Sequence, residues 1–98
     1  MNDVLKKKYF CRVNMRTIAE IPHHTFKITV FSYNAKFIVK IELGQFEQIY
    51  KISEMDVMGF EDIKTMLTPS FLENCMDRFL TMREDWHKSF TEKQSLNS

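Results

Sequence analysis

Between Thr25 and Ile52 the chain alternates apolar and polar residues with a period of two, interrupted twice by turn residues. Successive side chains leave a pleated strand on opposite faces, so this period marks strands with one face buried. Phe26, Ile28 and Val30 fall on one face; Lys27, Thr29 and Phe31 fall on the other. Tyr33-Asn34-Ala35-Lys36 reads as a tight turn. Asn tolerates the positive φ that a two-residue hairpin needs, although Ala35 suits that position poorly. A loop of Asn34-Ala35 sets Ile28 opposite Ile41, Val30 opposite Val39, Phe26 opposite Leu43 and Lys27 opposite Glu42. A slip of one residue would oppose apolar and charged side chains along the whole ladder.

The next turn lies around Leu43-Gly44-Gln45 and admits two registers. A Gly44-Gln45 loop suits a turn with glycine first but sets Glu42 opposite Glu47. A Leu43-Gly44 loop pairs Lys40 with Glu47, Ile38 with Ile49 and Phe37 with Tyr50, which charge favours. Both keep Phe37, Val39, Ile41, Phe46 and Tyr50 on the inner face.

After Ile52 the period changes to that of a helix. Ser53 to Asp56 has the spacing of a capping box. Phe60, Ile63 and Leu67 then mark a short helix over about 58–67, with Glu61 and Asp62 at its positive end. Thr68-Pro69 reads as a second helix start, Thr capping and Pro in the first turn. Leu72, Cys75, Met76, Phe79, Leu80, Met82, Trp86 and Phe90 form one stripe of a helix of about 20 residues. Upstream, periodicity leaves residues 9–21 ambiguous, with a strand expected within Arg16 to Ile21 and ended by Pro22. The expected fold is α+β: a three- to four-stranded antiparallel meander, then a short and a long helix packed on one face. One domain spans 1–98, with flexible tails at 1–8 and 91–98.

Composition narrows function mainly by exclusion. The net charge of +1 conceals +5 over residues 1–52 and −4 over 53–98; the asymmetry fits halves that attract one another when folded better than a basic face aimed at an acidic partner. Two glycines, Gly44 and Gly59, cannot build a phosphate-cradling loop. Glu84 and His87 have Glu-x-x-His spacing, but a di-metal bundle needs a second such motif. His23 and His24 are neighbours that point apart in an extended chain. Cys11 has basic neighbours but no assignable base, and Cys75 falls on the helix stripe, where packing is its role. No cofactor is indicated. Two thiols 64 positions apart make no disulfide framework. With no apolar leader and no run of about 18 apolar residues, a cytoplasmic location without a membrane span is expected.

The outer face of the sheet carries Phe31, Ile38 and Ile49, which lie side by side in the charge-favoured register, with Tyr33 at the edge. An apolar row on a solvent face suits a partner, unless Tyr9, Phe10, Val13 and Met15 cover it or it is simply exposed, as single apolar residues commonly are. Trp86 and Phe90 close the long helix and extend the candidate interface. These residues point to a non-enzymatic interaction module that binds another protein or self-associates, a homodimer being the default. Two alternatives stand beside it. Lys27, Lys36, Lys40 and Lys51 around Phe31 and Tyr33 could hold a single-stranded nucleic acid. A small enzyme completed at a dimer seam would use His23 or His87.

Overall fold

The computed structural model of the chain describes residues 15–97. Readings that fall on residues 1–14 lie outside them: the tail at 1–8, Cys11 among its basic neighbours, and the cover by Tyr9, Phe10 and Val13. Four antiparallel strands form one sheet in sequence order: β1 (Arg16–Ile21), β2 (Lys27–Tyr33), β3 (Lys36–Leu43) and β4 (Phe46–Ser53). A 3-10 turn (Glu54–Asp56), a short helix α1 (Phe60–Met66) and a long helix α2 (Pro69–Asn97) follow. The strand expected in Arg16 to Ile21 is the fourth member of the sheet, pairing with β2 through a bulge between Thr17 and Ala19.

The Asn34-Ala35 hairpin forms in the expected register, with Ile28 opposite Ile41, Val30 opposite Val39 and Lys27 opposite Glu42. Asn34 (φ 52°) and Ala35 (φ 60°) are both left-handed, the pairing that matches the twist of the flanking strands. Val30 and Ile41 are fully buried, and with Phe26, Ile28 and Val39 they pack against Ile63 of α1 and Cys75 and Phe79 of α2. The even positions of β2 and odd positions of β3 thus face the helices.

The second hairpin takes the Gly44-Gln45 loop, setting Glu42 opposite Glu47 and Lys40 opposite Ile49. The charge-favoured register does not form. A Leu43-Gly44 loop would force Leu43 into positive φ, at a cost of about 1–2 kcal/mol. Facing like charges cost only about 0.2–1 kcal/mol. Gly44 adopts φ 61° instead, and Lys40 Nζ stands 3.8 Å from Glu42 and 4.0 Å from Glu47, which offsets the repulsion.

Ser53 does cap, but it caps the 3-10 turn: its Oγ accepts from the Met55 N–H at 3.2 Å. Gly59 at φ 134° separates that turn from α1, so the short helix starts later than expected. Asp62 Oδ2 accepts from the Met58 N–H at 2.7 Å. Thr68 Oγ1 accepts from the Phe71 N–H at 3.1 Å, the cap that starts α2 with Pro69 in its first turn. At 29 residues α2 exceeds the expected length and continues through the segment expected as a tail. No Gly or Pro after Pro69 interrupts it. It measures about 44 Å at 1.5 Å per residue. Its buried stripe ends near Met82; Trp86, Phe90 and Leu96 are exposed. Leu80, read as part of the stripe, lies exposed at its margin.

Two substitutions test this account. Ala35→Gly is expected to stabilise the fold by about 0.5–1 kcal/mol in urea unfolding, by relieving left-handed strain at a β-carbon. Phe79→Ala should cost about 3–5 kcal/mol in the same measurement, since Phe79 fills the seam between α2 and Phe26.

Candidate functional site

The register of β3 and β4 rearranges the expected apolar row. Phe31 stands opposite Ile38, but Ile38 stands opposite Lys51 and Ile49 opposite Lys40. The three residues no longer line up across the strands. Ile38 is only 7% exposed and Phe31 is half-buried, with Lys40 Nζ 5.4 Å from its ring centroid. Tyr33 is half-buried opposite Lys36 at the turn. Ile49, on the edge strand, is 49% exposed. What remains open of the row is its β4 end.

The lysines of this face are unequal. Lys40 serves two carboxylates and one ring, and Lys27 Nζ stands 4.0 Å from Glu20. Lys36 is exposed beside the Asn34-Ala35 turn. Lys51 is exposed and makes no ion pair among the described residues. A stacking platform for bases needs an open ring beside free cations. Phe31 and Lys40, the central pair of such a platform here, are already engaged with each other.

The inner side of β4 meets α2 through a polar cluster. Gln48 Nε2 donates to the Cys75 carbonyl at 2.9 Å. Its Oε1 accepts from the Tyr50 hydroxyl at 2.8 Å and from Arg78 Nε at 3.0 Å. Arg78 Nη2 also donates to Tyr50 Oη at 3.0 Å and lies 3.3 Å from Cys75 Sγ. Tyr50 packs edge-on against Phe71, ring centroids 5.2 Å apart. Desolvation raises the Tyr50 pKa above 10.0, the Cys75 thiol adds to the rise, and Arg78 opposes it less strongly. Sequence reasoning missed this cluster. Its one signal was Gln48, a polar residue in the inward alternation of Phe46, Tyr50 and Ile52.

Beside the cluster an open groove of about 570 Å³ runs between β4 and α2, lined by Gln48, Ile49, Tyr50, Asp77, Arg78, Thr81 and Met82. Ile49 and Met82 therefore border the same space. Met82, Trp86 and Phe90 follow at intervals of four along α2, and Trp86 is 61% and Phe90 53% exposed. The structure thus brings Ile49 near the helical half of the candidate interface and leaves Phe31 and Ile38 out of it.

His23 Nδ1 accepts from the Thr25 and Phe26 N–H groups at 3.1 Å each, which ties the β1–β2 loop, and its ring stacks on His24 and Phe26. His87 and Glu84 lie on the exposed part of α2. No helix among the described residues is long and apolar enough to cross a membrane. The chain matches no family model, no curated protein and no solved structure.

The Tyr50 environment has a measurable consequence. A phenol whose pKa is raised by folding stabilises the fold fully below its unfolded value, and that contribution is lost as pH climbs through the folded value. Absorbance titration of the tyrosinates should show a component above pH 10.0 that vanishes in Tyr50→Phe. A profile unchanged by the substitution would remove the desolvated Tyr50 from this account.

Proposed function

We propose that this chain is a non-enzymatic protein-interaction module that self-associates on the side formed by β4 and α2. One observation supports this above the others. The apolar row of α2 does not stop where the sheet stops: Met82 borders the β4 groove, and Trp86 and Phe90 continue the row into solvent. Neither aromatic belongs to the core formed by the described residues. A large aromatic left open next to a groove is the residue type that dominates binding energy when a partner desolvates it. The engaged state of Phe31 and Lys40 gives the nucleic-acid alternative less support, so the helical end and Ile49 are preferred to the middle of the outer face.

Sedimentation equilibrium on the wild type and on Trp86→Ala tests the proposal. The wild type is expected as a dimer, with Trp86→Ala raising the dimer Kd at least about tenfold. Thermal unfolding under dissociating dilution should move little, since Trp86 lies outside the core. A wild type that stays monomeric at high concentration would end the proposal. A dimer indifferent to Trp86→Ala would place the interface away from the helix end.

A further inference from the structure

β4 is an edge of the sheet, and its ladder to β3 runs without a register shift. In a two-residue hairpin the residues flanking the loop exchange both backbone hydrogen bonds, and every second pair repeats that pattern. Leu43 with Phe46, Ile41 with Gln48 and Val39 with Tyr50 are such pairs. The backbone N–H and C=O groups of Glu47, Ile49 and Lys51 therefore point off the free edge. No backbone partner outside the sheet meets them among the described residues. Their side chains are all exposed.

An open edge of this kind is a template for another strand. The opposite edge is blunted: β1 carries the Thr17/Ala19 bulge and is followed by Pro22. β4 has neither device. Its sequence, moreover, is self-complementary about Ile49. Antiparallel pairing with a second copy sets Ile49 against its own counterpart and Glu47 against Lys51 in both directions. On the inner face, Phe46 meets Ile52 and Gln48 meets Tyr50. Sliding the copies by two residues sets a charge against Ile49. Sliding them by four sets Glu47 or Lys51 against itself, so one register is singled out.

From this edge geometry and charge pattern we infer that a second copy of the chain adds its β4 antiparallel to β4 of the first, centred on Ile49. The inference rests on the self-association proposed above and names the atoms that join. About six inter-strand backbone hydrogen bonds form, from Glu47, Ile49 and Lys51 of each copy. The two-fold axis stands perpendicular to the sheet, so both α2 helices stay on one face. The β4–α2 groove of each copy then opens toward the other, with Asp77 and Arg78 bringing opposite charges to it. Lys51, without an ion pair among the described residues, gains Glu47 of the second copy.

Charge reversal tests the register by sedimentation equilibrium, with circular dichroism checking each variant's fold. Glu47→Lys and Lys51→Glu alone each create two like-charge contacts per dimer and should raise the Kd about tenfold. Mixing the two variants should restore association, as should the double swap Glu47→Lys/Lys51→Glu. Ile49→Pro removes an edge N–H without touching a bond to β3 and should give a folded monomer. A wild-type dimer unaffected by the single reversals, or a folded Ile49→Pro dimer of wild-type affinity, would overturn the edge pairing while self-association itself stands. A monomeric wild type would overturn both.

Discussion

The pairing of β2 with β3 through the Asn34-Ala35 turn is the constraint on which the other contacts depend. Two left-handed residues in the loop match the twist of the strands and set Val30 against Val39 and Ile28 against Ile41. Those four side chains, on adjacent strands, make a surface that α1 and α2 can cover with Ile63, Cys75 and Phe79. Shifting that register by one residue would put either Thr29 or Lys40 beneath the helices beside the apolar residues of the other strand, and the long helix would lose its seat. The turn at the far end of β4 is tied to the same hairpin: the Glu54 N–H donates to the Ala35 carbonyl at 3.0 Å, and the Ser32 hydroxyl donates to Glu54.

Backbone geometry outranks side-chain charge at the second hairpin, and the surface follows from that ranking. With glycine at the left-handed position, Glu42 and Glu47 must face each other. Lys40, two residues from Glu42 on the same strand and diagonal to Glu47 across the ladder, converts the conflict into a shared ion pair. Its commitment there also draws it over Phe31. The result is an outer face whose middle is internally satisfied and whose remaining features collect at the β4 margin: exposed Ile49, and Lys51 and edge backbone groups that find no partner among the described residues.

The polar cluster of Gln48, Tyr50 and Arg78 ties this margin to α2. Gln48 is placed by strand period and Arg78 by helix period, and only the crossing of the two elements makes them neighbours. No sequence rule joins positions 30 residues apart, so the cluster could not be read in advance beyond the oddity of a Gln on an inward row. The same holds for Ile49 and Met82. Each was legible as apolar, but their common groove depends on where α2 crosses the sheet. Trp86 and Phe90 were legible as part of a stripe. That the sheet ends before the stripe does is a matter of relative lengths, about 44 Å of helix over strands of seven or eight residues.

The amino-acid order alone determined the elements, the inward faces of β2 and β3, the first turn and the caps at Ser53 and Thr68. Each of these depends on residues within one or two turns of chain, where sterics and local hydrogen bonding suffice. Folding in three dimensions decided the rest: which of two energetically close registers β4 adopts, how Lys40 reconciles the charges that result, and which apolar residues remain uncovered. Those outcomes depend on small differences between competing terms and on distances between segments remote in sequence, which local pattern does not carry.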